Sequence, residues 1–327
     1  MWYPRTWDVP PDPDLLTAVG GRVRDWACGA TLMPSGHPAG QLRPLTHAER
    51  FACHSYPRGR PERLLTIAKL LTLWTMDDDI GEQWGISEHH TAAVFAALRG
   101  DTPATTDPYF QEWRKLGDEL RDSGMSERWF RRFLGNLNTW YDNARLPERG
   151  RRESYEDYVR RRPDGTGAAA WLDLLEFVHH KELSPEQHTT SYVRNAYVFA
   201  KHDYMVAFND VTSVARDERR GVPNLCSLIA DKRSTTRVSA ARELAAMHLS
   251  IVRRRLADLD RARAHRPDLT WWQELACAHH LGMARAHVPD ETRYGEVQEL
   301  EDSSFQVRVV VGEDAAAPNL LEDGLPR

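Results

Sequence analysis

Apolar residues recur at helical spacing through most of the chain. In RPERLLTIAKLLTLWTM (60–76), Leu64, Ile67, Ala68, Leu71 and Trp74 fall on one face of a 3.6-residue period. Leu65, Leu70 and Leu73 occupy the remaining faces, so the pattern predicts a helix buried nearly all round. The same period runs through SERWFRRFLGNLNTWYDNAR (126–145) and AAAWLDLLEFVHH (168–180). Ser184–Pro185 is an N-cap and N1 pair, and the stretch it opens meets no Gly or Pro before Gly221, which predicts one long helix. Two further helices are expected within 238–264 and 269–287. Strand-like alternation is confined to FQVRVVVG (305–312). With no internal repeat and no linker, the expected organisation is a single all-α domain over residues 13–300. An irregular Pro-rich segment (1–12), able to pack over the domain, would precede it, and a mobile tail (301–327) would follow.

One feature breaks the ordinary pattern. The buried helix runs straight into Asp77, Asp78 and Asp79, with Glu82 close behind and Gly81 placed to stop the helix. Carboxylates in a last turn meet the negative end of the helix dipole and repel one another, at about 0.3–1 kcal/mol each. A solvated acidic loop would tolerate this. A bound divalent cation would turn repulsion into coordination, since hard ions take oxygen ligands. Asp78 and Glu82 are four residues apart and would share a face if the helix continued.

A second oxygen-rich pattern lies in FNDVTSVARDERR. Asn209, Ser213 and Asp217 fall at i, i+4 and i+8, which lines an amide oxygen, a hydroxyl and a carboxylate along one helix face. Such a weakly charged set suits a Mg²⁺ ion that shares its shell with an anionic substrate, although a polar solvent face would look the same.

Together these elements resemble the class I terpene synthases, and specifically the bacterial terpene cyclases. DDDIGE is similar to their aspartate-rich motif in its DDxxxE form, and NDVTSVARD to their second metal motif, (N/D)DxxSxxx(E/D). YVRRRPDGTG offers Arg161, Asp164 and Gly165 in RxxDG spacing, like the family's diphosphate-sensing arginine, linker aspartate and effector glycine. Arg160 and Arg162 are the alternatives one residue away. ETRYGE supplies Arg293–Tyr294, like the family's RY pair. The four elements occur in the family's order.

The resemblance implies an all-helical bundle around a central apolar cavity, with Mg²⁺, three ions in this family, at its mouth. Asp77 would be the direct ligand of the first motif, joined by Asp78 and Glu82, and Asn209, Ser213 and Asp217 would serve in the second. Asp217 stands where the family usually has Glu, so Glu218 remains an alternative. Arg161, Arg216, Arg293 and Tyr294 would hold the substrate diphosphate, with Asp164 and Gly165 beside them. Trp74 is the expected cavity wall, with Phe208 a weaker candidate and an ordinary core tryptophan the plain alternative. The implied reaction is ionisation and cyclisation of farnesyl or geranylgeranyl diphosphate to a terpene hydrocarbon or alcohol. A chain-elongating prenyltransferase of the same fold would carry a second full aspartate-rich motif, and a non-catalytic all-α protein would leave the ordered set unexplained. Homodimers are frequent among such proteins. As metal ligands outside the core, Asp77 and Asn209 should be replaceable by Ala without loss of fold.

Composition adds limits. Lys+Arg 43 against Asp+Glu 48 gives a net charge of -5, which argues against a nucleic-acid partner. Cys28, Cys53, Cys226 and Cys277 form no CxxC pair, in keeping with reduced thiols and a cytoplasmic setting. The N-terminus lacks the charged and apolar regions of a signal peptide, and no apolar run is long enough for a membrane span. The pairs His89–His90, His179–His180 and His279–His280 diverge on a helix and are expected at the surface or at caps.

Overall fold

The computed structural model describes residues 1–30, 32, 48–101, 107–144, 153–287, 298–300 and 304–313. A short strand β1 (Trp2–Pro4) and a 3₁₀ turn lead into α1 (Pro13–Gly29), α2 (Ala48–Ser55), α3 (Pro61–Trp84), α4 (Glu88–Arg99), α5 (Pro108–Arg121) and α6 (Glu127–Ala144). Then come α7 (Tyr155–Arg161), a 3₁₀ turn at Asp164–Thr166, α8 (Ala168–His179), α9 (Pro185–Thr189) and α10 (Ser191–Val198). A π-helical turn (Phe199–Tyr204) joins α10 to α11 (Met205–Arg220), which is followed by α12 (Leu225–Arg233), α13 (Arg237–His265) and α14 (Thr270–His287). Three short strands close the order: β2 (Gln298–Glu299), β3 (Ser304–Phe305) and β4 (Val310–Gly312).

The helix α3 is buried as its sequence requires: Leu64, Leu65, Ile67, Leu70, Leu71 and Leu73 are all in the core. Its end differs from expectation. Gly81 lies inside the helix, which continues to Trp84, and Gly85 at φ +80° provides the cap. A cap at that positive φ is one that only glycine adopts cheaply, and Gly81 is not asked for one. The aspartates therefore sit in a continuing helix, away from its exposed carbonyl end.

The long 184–220 helix is also not continuous. Ser184 forms a capping box with Gln187, as the N-cap pattern promised, but α9 ends at Thr190, whose hydroxyl accepts from Val193 N to start α10. Threonine hydroxyls compete with the helix ladder for backbone donors, which is why a chain without Gly or Pro can still break. The π turn then inserts extra backbone just before the Asn209 motif, and such turns often re-aim side chains near functional sites.

At the N-terminus, Trp2, Tyr3 and Trp7 are almost wholly buried, and β1 pairs in parallel with β4, Trp2 opposite Val310. Residues 2–7 are thus regular and packed over the domain, and 310–312 are paired with them, where an irregular segment and a mobile tail were expected. Residues 301–303 and 314–327 lie outside the described set.

His279 and His280 are core residues of α14, contrary to the surface expectation. His279 Nδ1 donates to the Ser55 carbonyl at 3.0 Å. Burial lowers its pKa to about 4, and burial together with the N-terminal charge lowers that of His248 to about 3. In the unfolded chain both would titrate near 6.5, so between these values the unfolded state binds more protons. The stability is intact above about pH 6.5 and declines as pH falls through that window, by about 1.4 kcal/mol per pH unit for each such ring. The thermal midpoint should fall accordingly from pH 6.5 to 4, and His279→Gln should make that slope shallower. A slope unchanged in the variant would exclude His279 as a contributor.

Candidate active site

The site is built around three segments: the second half of α3, the turn after α7, and α11. Trp74 on α3 stacks on Trp171 of α8 at 5.3 Å and meets Trp140 of α6 edge-on at 5.2 Å. The same Trp74 ring lies against Gly167, where an added Cβ would come within 2.5 Å of it. Gly167 also adopts φ +72°, so both space and backbone require glycine there. Gly165 backs onto Asn143 at the end of α6 in the same way, its missing Cβ 3.1 Å from the Asn143 carbonyl oxygen. The segment 164–167 is thus wedged between α3 and α6.

From this turn, Arg162 reaches α11. Its Nη2 donates to Asn209 Oδ1 at 2.7 Å and to Asp210 Oδ1 at 3.0 Å, while Nη1 lies 3.4 Å from the Gly165 carbonyl. Arg161 turns elsewhere, forming a two-point ion pair with Glu153 at 2.9 and 2.8 Å and donating to the Asn143 carbonyl at 2.6 Å. Arg160 is exposed and pairs with Asp157. Of the three arginines, the one that touches the second motif is Arg162, an alternative the RxxDG spacing left open. Asp164 takes an ion pair from Lys201 of the π turn at 2.9 Å, a partner with no motif in the sequence to announce it.

Along α11, Ser213 Oγ and Asp217 Oδ2 are 2.6 Å apart, so two of the three predicted oxygens adjoin. Asn224 Nδ2 donates to the same Asp217 oxygen at 2.8 Å, and Arg216 pairs with its other oxygen at 3.0 Å. Asn209, a turn earlier, is half-buried. Glu218 points away: it is exposed and bound by Arg237 at 2.8 Å and Ser227 at 2.6 Å. Geometry therefore groups Asp217, and not Glu218, with Ser213. Asp210, the other acid of the motif, is fully buried and accepts from Tyr158, Arg162 and the Leu225 amide, pinning α12 to α11. Phe208 is buried and packs edge-on against His287 at 5.5 Å.

The aspartates of α3 divide. Asp77 is completely enclosed: Tyr109 and Tyr141 donate their hydroxyls to its two oxygens, and His90 Nε2 sits 2.7 Å from Oδ1. Burial, and after it the Asp77 charge, raises the pKa of both tyrosines well above the ordinary value, so their protons stay in place. Asp77 thus ties α3 to α4, α5 and α6. Asp78 and Asp79 are half-buried. Because α3 continues to Trp84, positions 74, 78 and 82 follow one another along one helix face, which places Asp78 a turn above Trp74. The side chain of Glu82 lies outside the described residues, as do Arg293 and Tyr294 altogether.

Among the described residues no group of three His, Cys, Asp or Glu side chains converges as a self-contained metal site. The α11 set is instead amide, hydroxyl and carboxylate. All its donors are oxygens, with two already in contact, and this chemistry fits a hard cation that completes its shell from a ligand. No helix among the described residues is long and apolar enough to cross a membrane.

Comparison with known proteins agrees with this architecture. The family model for terpene synthase family 2, C-terminal metal binding, matches residues 69–254, more than half of the chain. This protein belongs to that family and has the all-α fold of the class I terpene synthases. Among solved structures it resembles 2-methylisoborneol synthase from Streptomyces coelicolor A3(2) in complex with Mg²⁺ and geranyl-S-thiolodiphosphate. That match has TM-score 0.74 and 16% identity, covering 88% of this chain and 95% of that one. Linalool/nerolidol synthase from Streptomyces clavuligerus matches with TM-score 0.68 and 17% identity over 85% of this chain and 96% of that one. Germacradien-4-ol synthase from Streptomyces citricolor matches with TM-score 0.65 and 19% identity, covering 85% and 93%. No curated protein matches the sequence.

Proposed function

We propose that this chain is a Mg²⁺-dependent terpene cyclase that ionises a linear prenyl diphosphate, farnesyl or geranylgeranyl, and closes the resulting cation to a hydrocarbon or alcohol. The observation that carries the reading is the run of contacts from Trp74 through Gly167 and Gly165 to Arg162 and Asn209. It sets an aromatic wall beside an oxygen ladder, with a guanidinium between them. The metal-bound relatives support the choice of ion, since one is described with Mg²⁺ and a prenyl diphosphate analogue.

In the first step the allylic C–O bond breaks and its electron pair leaves with the diphosphate. Bound Mg²⁺ would supply charge stabilisation to that leaving group. Asn209, Ser213 and Asp217 would hold it on α11. On α3 we assign the metal-ligand position to Asp78, half-buried and a turn from Trp74, with position 82 a turn further, since Asp77 is committed to Tyr109, Tyr141 and His90. Arg162 and Arg216 would grip phosphate oxygens, as the planar guanidinium does bidentately. Trp74, Trp140 and Trp171 exclude water from the hydrocarbon chain and present π faces to the cation. The final cation loses a proton to give a hydrocarbon, or adds water and then loses a proton to give an alcohol.

Incubation with geranyl, farnesyl and geranylgeranyl diphosphate, with and without Mg²⁺, tests this. Diphosphate release and volatile products are expected with at least one substrate and only with metal. No release from any of the three would overturn it, and chain extension with added isopentenyl diphosphate would favour a prenyltransferase. Trp74→Phe, which keeps a π face but vacates part of the space beside Gly167, should redistribute products on gas chromatography, at some cost in stability from the cavity left. An unchanged product profile would reduce Trp74 to packing.

A further inference from the structure

The oxygen ladder of α11 rests on a small apolar core of its own. Val211 and Val214 of α11 pack with Leu225 and Ile229 of α12 and Leu244 of α13, whereas Trp74 and the rings around it belong to a larger core. Val211 lies about 200° round α11 from Asn209, so this packing supports the ladder from behind. Among the described residues of α11, Phe208 is the one that joins the larger core. A metal shared by α3 and α11 therefore depends on how firmly the two cores are fixed to each other.

The two ends of the chain lie across that seam. β2 runs beside α11, and Leu300, Phe305 and Val307 pack on the small core. Val309 and Val311 pack on the larger one, and Met1 and Val307 touch both. The ends also hold each other. β1 pairs with β4, the Val310 amide donates to the Met1 carbonyl at 2.9 Å, and the Met1 amine donates to the Arg308 carbonyl at 2.7 Å. Gly312 passes so close to Trp2 that an added Cβ would come within 2.7 Å of its Nε1. A strand pair this short is marginal by itself, so its effect lies in the side chains it brings to the seam.

We propose that β1 and residues 304–312 form a clasp that fixes α11 against the rest of the domain, with Val307 and Met1 as positioning residues for the α11 oxygen set. The inference rests on the proposed metal-dependent reaction. A ladder that wanders binds metal only while it is in place, so the apparent dissociation constant is the intrinsic one divided by the competent fraction. Excess metal restores that fraction. Loosening the clasp therefore raises the metal requirement and leaves the saturated rate and the aromatic wall as they were.

The full-length protein serves for the test, comparing Phe305→Ser/Val307→Ser with Val310→Thr, a change at an exposed position of β4. The double variant should need about threefold more Mg²⁺, or beyond, for half-maximal diphosphate release, with kcat at saturating Mg²⁺ within about twofold and the product profile unchanged. In the metal-free protein, hydrogen exchange over 208–233 should quicken about tenfold while α3 and α8 keep their rates. Val310→Thr should change neither quantity. Unaltered exchange over 208–233 would overturn the proposal. So would faster exchange throughout, which marks general loss of stability, or a fall in kcat at an unchanged Mg²⁺ requirement. Should the double variant fail to fold, the unaltered chain decides: in rising urea below the unfolding transition, the Val310 amide and those of α11 and α12 should open together and ahead of α3. Independent opening would overturn the clasp. Absence of diphosphate release by the unaltered chain would instead be the failure of the proposed function, and metal-free exchange would still judge the clasp.

Discussion

Asp77→Ala is expected to destabilise the protein by about 3–5 kcal/mol, a large share of the roughly 5–15 kcal/mol that holds a typical domain together. The substitution removes the acceptor from two buried tyrosine hydroxyls and from His90, and each orphaned donor carries a desolvation cost of about 1–3 kcal/mol. Loss of the buried carboxylate's own desolvation offsets part of this. Asp77→Asn keeps one acceptor oxygen and should cost less. The measurement is a denaturant or thermal unfolding curve, compared with Asp78→Ala, which should leave the midpoint near its original value while reducing diphosphate release. A normal midpoint for Asp77→Ala together with lost turnover would return Asp77 to the metal and remove it from the core.

That contrast shows where the sequence is readable. Three adjacent aspartates look alike in a string, and only the phase of the helix separates them. Gly81 suggested that the helix ended at the cluster, whereas α3 continues to Trp84, and this extension is what puts position 82 in line with Asp78 and Trp74. The fold class followed from periodicity because α3 and α13 repeat their apolar positions over several successive turns. The α11 ladder was legible for the same reason, since i, i+4 and i+8 keep one face whatever the surroundings. The partners were not legible. Tyr109 and Tyr141 reach Asp77 across 32 and 64 residues, and nothing local marks a tyrosine whose hydroxyl must find a carboxylate. Arg162 differs from Arg161 by one residue in a run of three, and the rotation of a short helix decides which meets Asn209. The N-terminal Trp2 and Trp7 were hidden by the prolines around them, which suggest irregular chain but say nothing about burial.

Asp217 and Glu218 give the sharpest functional test. If Ser213 and Asp217 form one metal-facing pair, Asp217→Asn should lower metal-dependent diphosphate release by about 100-fold or more, the scale of losing one group that stabilises developing charge. The amide also places a donor against Asn224 Nδ2 or Ser213, so a modest fall in stability should accompany it, and activity must be normalised to folded protein. Glu218→Gln removes only a surface ion pair with Arg237, in which both side chains are 31% exposed, worth under about 1 kcal/mol. Its turnover should remain within about twofold of the unaltered enzyme, since nothing it touches belongs to the Ser213 face. The Mg²⁺ concentration needed for half-maximal activity should rise in Asp217→Asn and stay put in Glu218→Gln, which separates lost metal affinity from general damage to the helix. The reverse order would mean that α11 rotates when loaded and presents Glu218, and the Ser213–Asp217 contact would then be only a latch of the metal-free chain.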